Sequence, residues 1–169
     1  MTADGLDGDA TLVACFGQTH LGAGRQFLHD VYVTAPRSLQ WRAIAPRVAR
    51  EISNEHVNPG MIVDHVQGRA DHGSCVVGHH FDRLFFFGGR TSMHSSGLTD
   101  ETLVLSDVAG AAPQWMPLFS ASGSPCARRG LTLTPRADDR QKIFMFGGQR
   151  GHVCFDDLWV VRVWYCTLG

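Results

Sequence analysis

Residues Leu84–Arg90 read LFFFGGR, and near the end of the chain Ile143–Gln149 read IFMFGGQ. Each is an unbroken apolar run closed by two glycines and a polar side chain. A run without polar alternation suits a strand covered on both faces. A glycine pair at its end suits a sharp turn beside neighbouring backbone, where φ is positive or a Cβ would clash. A third, reduced copy stands at Thr11–Gln18, TLVACFGQ, with one glycine. Aligning Phe16, Phe87 and Phe146 gives offsets of 71 and 59 residues.

The text around these copies falls into step. HDVYV (His29–Val33), DETLVL (Asp100–Leu105) and FDDLWVV (Phe155–Val161) each place an acid before a short run of β-formers. Trp41 in QWRAI and Trp115 in QWMPL close the first two units at matching places. Upstream, RADHGSCVVG (Arg69–Gly78) matches CARRGLTLTP (Cys126–Pro135) as a strand opening each later unit. Self-similarity at this period marks a repeat architecture. The β-branched and aromatic runs, punctuated by Gly, Pro, Asp and Ser, mark its elements as strands. Val48–Val57 is the best helical candidate, and Gly60–Val66 reads as an extra strand or a surface loop.

This pattern resembles the kelch repeat: four strands per unit, a diglycine ending the second, an acid opening the third, a tryptophan in the fourth. The resemblance covers residues 11–165 and implies an all-β fold, a kelch-type β-propeller of four-stranded antiparallel blades around a channel. The structural positions it marks are Gly17, Trp41, Gly88, Gly89, Trp115, Gly147 and Gly148. The expected division is a flexible lead-in (1–10), a partial first unit (11–46), an insert (47–68), a second unit (69–118) and a truncated third (119–169). About ten or eleven strands fall short of the four blades of four strands in the smallest propellers. The expectation is therefore an incomplete ring: a fragment, a truncated product, or an arc completed by another subunit. Open blade edges would allow self-association.

The chain has 169 residues, 44% hydrophobic and 18% charged, with a formal net charge of −1. That composition belongs to a globular domain with a real core. It gives no reason to expect nucleic acid or a membrane surface as partner, and no apolar run approaches the roughly 18 residues a membrane helix needs. The N-terminus lacks a signal pattern. Five cysteines, odd in number and without a CxxC pair, read as reduced, mostly packed thiols in a cytoplasmic protein.

Connectivity puts the segments after the glycines on the same face as the connections between units. Those segments carry Gln18 and His20, Arg90 and His94, and Gln149, Arg150 and His152; the connections add Arg69, Arg128 and Arg129. Guanidinium forks suit carboxylates. The expectation is a protein-interaction module that captures an acidic peptide on this face, as the resemblance to kelch adaptors of ubiquitin ligases implies. The plainer alternative makes the strand-opening arginines part of the repeat, paired with local carboxylates.

Enzymatic readings find little. His65, His72, His79 and His80 lie close in sequence with Asp64, but a strand of about six residues puts His79 and His80 roughly 20 Å from His72. No metal or cofactor is expected. Two tyrosines within strand runs do not supply the copper site of a propeller oxidase. The Glu-x3-Asp-x3-His spacing of iron-binding specifier proteins is absent, as are GxSxG, Walker and HExxH motifs. No enzyme activity is expected. The alternative is a non-catalytic propeller part of a larger enzyme, for example a methyltransferase or an oxidase.

Overall fold

The computed structural model describes residues 10–21, 24–48, 66–78, 83–94, 97–118, 123–139 and 141–163. The chain is all-β, with no helix among the described residues. One sheet holds β1 (Leu12–Cys15), β4 (Val31–Thr34) and β5 (Arg42–Ile44) in the order β1-β4-β5. A second runs β6-β10-β9-β8-β7, built from β6 (Arg47–Val48), β7 (Gly73–Val77), β8 (Arg83–Phe87), β9 (Thr102–Ser106) and β10 (Gln114–Leu118). The third is β11 (Thr132–Pro135), β12 (Lys142–Phe146) and β15 (Leu158–Arg162). All pairings are antiparallel except that of β6 with β10. The proposed helix and extra strand between 48 and 66 lie outside the described residues, apart from Val48, which ends β6, and Val66.

The segments after the glycines are largely paired. β2 (Gln18–Leu21) and β3 (Gly24–Phe27) form one hairpin, β13 (Gln149–Arg150) and β14 (Val153–Cys154) another. In the second unit Arg90 bridges Leu98 at the corresponding place. These polar, glycine-containing stretches satisfy part of their own backbone by pairing.

The register corrects the sequence alignment by one residue. Cys15, Phe87 and Phe146 are the equivalent strand ends, opposite Val31, Thr102 and Leu158. Phe16 therefore matches Gly88 and Gly147, not Phe87 and Phe146. Its φ is +63°, against +68° and +66° for those glycines. In all three units this residue's N–H donates to the carbonyl of the acid opening the third strand: Asp30, Glu101 and Asp157. A non-glycine in this conformation costs about 1–2 kcal/mol. Phe16 offsets it by stacking on Trp115 at 5.2 Å and meeting Phe86 edge-on at 5.3 Å.

The glycines carry the close approach their spacing predicts. A Cβ on Gly88 would lie 2.6 Å from the Arg128 carbonyl oxygen, and one on Gly89 would lie 2.8 Å from that of Ala70. The second glycine then links unit to unit. Gly17 N–H donates to the Arg69 carbonyl at 2.7 Å, and Gly89 N–H to the Arg128 carbonyl at 2.9 Å.

Two cores result. One lies between the first and second sheets, around Phe16, Val31, Val33, Phe86, Leu103, Leu105 and Trp115. The other lies between the second and third, around Phe85, Phe87, Val104, Ile143 and Met145. The middle sheet is thus covered on both faces, which is why LFFF has no polar alternation. The outer sheets alternate, with Tyr32, Phe146, Leu158 and Val160 exposed. Trp115 is buried opposite Leu105. Trp41 falls one residue beyond the paired register of β4 with β5, at the matching place, yet is 51% exposed. Its face of the first sheet has no sheet beyond it among the described residues.

Candidate functional site

Arg69 and Arg128 do not belong to a binding face. Their side chains are 0% and 1% exposed. Arg69 pairs with Glu101 and donates to the Gly88 carbonyl. Arg128 grips Asp157 with both Nη atoms, at 2.5 and 2.9 Å, and donates to the Gly147 carbonyl at 3.0 Å. Each guanidinium also faces an aromatic ring, Phe16 for Arg69 at 5.2 Å and Phe155 for Arg128 at 4.0 Å. The Arg128 fork holds the Asp157 carboxyl down to about 2. These arginines tie the start of a unit to its glycine turn and its third strand, so none of their charge faces a partner. The plainer alternative holds for both.

Arg90, Arg129 and Gln149 are brought together, and by the same repeat logic. Ala70 pairs with Arg90 and Arg129 pairs with Gln149 in matching two-residue bridges. Between the two bridges lies Asp71, whose carboxylate meets Arg90 at 3.1 Å and Arg129 at 3.3 Å. With its amide oxygen turned toward Arg129, Gln149 accepts from Nη2 at 2.7 Å and Nε at 3.1 Å. Asp71, His72, Arg129, Gly130 and Gln149 line an open cleft of about 320 Å³. Arg129 lines the cleft, while Arg90 reaches the same carboxylate from outside its lining, so two guanidinium groups surround one carboxylate. The Nε of Arg90 is buried without a hydrogen-bond partner.

Sequence reasoning missed Asp71 and His72 as members of this site. Asp71 takes the left-handed conformation, φ +59°, where the third unit has Gly130 at +65°. A non-glycine at a position glycine fills in the sister unit is the signal that could have found it. His72 packs edge-on against Phe16 at 5.2 Å, and its Nδ1 is buried without a partner. Burial, with the nearby Arg69 charge, pushes its imidazole down to about 4, so it faces the cleft neutral at neutral pH.

The remaining candidates do not line the cleft. Gln18 and His20 are exposed on β2, His94 is exposed in the second unit's turn, and Arg150 and His152 are exposed in the β13–β14 hairpin. Among the described residues no group of three or more His, Cys, Asp or Glu could hold a metal ion; His65, His79 and His80 lie outside them. No described helix is long and apolar enough to cross a membrane. Four described cysteines are free thiols, and burial pushes those of Cys15 and Cys75 up to about 12. Compared with known proteins, the chain matches no family model and no curated protein.

Proposed function

We propose that this chain is part of a kelch-type propeller acting as a protein-interaction module, with no chemistry of its own, and that the cleft at Asp71 takes an acidic segment of a protein partner. The fold half of this reading is supported by three sheets in face-to-face succession, joined by the same arginine, acid and glycine contacts in each complete unit. The function half is carried by one observation: Arg90 and Arg129, from different units, converge on a single carboxylate at an open cleft. Asp71 stands where an incoming Asp or Glu would be held, and a partner carboxylate would compete with it or sit beside it on the unused N–H groups. Gln149 keeps the Arg129 fork aimed. The proposed setting is the cytoplasm, where the free thiols would stay reduced.

The test is fluorescence anisotropy with labelled peptides bearing two glutamates at spacings of two to four residues. Arg90→Glu and Arg129→Glu should each weaken the best peptide at least about tenfold, the scale of one charged hydrogen-bonded contact. Asp71→Asn removes the competing charge, keeps a residue tolerant of positive φ, and should tighten binding several-fold. Binding unaltered by the double charge reversal, or no binding by any peptide, would sink the reading.

A further inference from the structure

The cleft holds one side chain that capture of an acid does not require. Asp71 is negative and accepts hydrogen bonds without donating any, yet it lines the site. Its backbone cannot step aside. Its φ is +59°, and its carbonyl accepts from Gly130 N–H at 2.8 Å. The residues flanking it lie against Gly89, where a Cβ would stand 2.8 Å from the Ala70 carbonyl oxygen and 2.9 Å from the His72 Cβ. The bridges Ala70–Arg90 and Arg129–Gln149 fix the chain on either side. What remains free is rotation of the Asp71 side chain between its two guanidinium partners.

A guanidinium carries five N–H groups. At Arg129 the turned Gln149 amide oxygen takes Nε–H and one on Nη2, and Asp71 takes one on Nη1. Two therefore remain, one on each Nη. Arg90 lies outside the lining, and its Nε is buried. His72 is neutral at neutral pH, with Nδ1 buried. Two N–H groups on one fork match the two oxygens of one carboxylate. A phosphorylated side chain brings three acceptor oxygens and a charge of about −1.5 to −2. With two Arg129 donors free, one of those oxygens would stand beside the Asp71 carboxylate without an Arg129 N–H to share.

We propose that Asp71 sets the ligand class of the cleft: it admits the carboxylate of a partner's Asp or Glu and turns away a phosphorylated side chain. This selectivity rests on the acidic-segment reading and narrows it to one class of acid. Asp71 acts in two ways, by occupying one Arg129 N–H and by setting negative charge beside the bound group. Asn at this position reverses both, since its amide supplies N–H donors and carries no charge. Gly, which the third unit has here as Gly130, removes the charge without adding donors and takes positive φ freely.

The test sets the best two-glutamate peptide against a twin carrying phosphoserine in place of both glutamates. Both are titrated by fluorescence anisotropy against the full chain at neutral pH. The unaltered chain should prefer the glutamate peptide by about tenfold, the scale of one charged hydrogen bond. Asp71→Asn should reverse that preference, and Asp71→Gly should bring the two affinities together. A ratio between two ligands does not move when some of the protein fails to fold, so a purely structural role for Asp71 cannot produce the reversal. Phosphopeptide binding as tight as that of the glutamate peptide in the unaltered chain overturns the inference and leaves the acidic-segment reading standing. So does a ratio that both variants leave unchanged. No binding by any two-glutamate peptide overturns both.

Discussion

Removing either partner of the Arg128–Asp157 pair should not cost the same, and the difference follows from where water can reach. Arg128 is 1% exposed while Asp157 is 35% exposed. Asp157→Ala strands a guanidinium out of water, and leaving one partner of a buried pair alone costs about 3–5 kcal/mol. The Gly147 and Cys126 carbonyls and the Phe155 ring still attend the charge, so the lower end, about 3 kcal/mol, is expected. Arg128→Met keeps the apolar stem and leaves a carboxylate that water reaches and that Trp159 Nε1 still donates to at 2.6 Å. That loss, of hydrogen bonds and of the Phe155 ring contact, is about 1–2 kcal/mol.

The assay is urea unfolding of both variants beside Arg136→Ala, whose exposed pair with Asp138 should be worth about 1 kcal/mol or less. The predicted order is Asp157→Ala, then Arg128→Met, then Arg136→Ala, at equal m-values. A gap of about 1–2 kcal/mol between the first two corresponds to roughly 2–8 °C in thermal midpoint for a chain of this size. The pair also has a pH signature. Asp157 titrates lower in the folded chain than in the unfolded one. The unfolded state therefore takes the proton first, and stability falls as pH drops from the usual carboxylate range through about 2. Solvent at Asp157 makes that slope shallow, and Arg128→Met should weaken it further, leaving only what the Trp159 hydrogen bond contributes. Equal destabilisation by the two substitutions, or the reverse order, would refute the argument that burial of the cation sets the cost.

Gly88→Ala should destabilise by at least about 1–2 kcal/mol, because it combines positive φ with a Cβ against the Arg128 carbonyl; the chemical-denaturation midpoint measures it. His72 titrates near 4 when folded and near 6.5 when unfolded, so the unfolded state binds the extra proton between those values. Stability should rise with pH from about 4 to about 6.5 and then level, and His72→Phe should flatten that rise in thermal melts across the window. Among the described cysteines, exposed Cys154 should react with a thiol reagent at once, whereas Cys15 and Cys75, held protonated by burial, should react only on unfolding. Early labelling of Cys75, followed by mass spectrometry, would contradict the packing of the second core.

What the letters could and could not convey is clearest at the arginines. Arg69 and Arg128 occupy one repeat position and do one job, so their recurrence marked the frame of the fold; their burial followed from the acid and glycine that recur with them. Arg90 and Arg129 look the same in the sequence but stand where sister units have Gln or Ala: Gln18 and Gln149 match Arg90, and Ala70 matches Arg129. A side chain that the frame does not require is the one left to meet something else. The same comparison exposes the misalignment at Phe16, where identity of aromatic letters outweighed a backbone state, φ +63°, that no letter records. It also separates Trp41 from Trp115, which share a register position but differ in what lies across from them. Position in the repeat was legible because it depends on spacing. Burial was not, because a face is covered only by the neighbour that meets it, and the outer faces of the first and third sheets have none among the described residues.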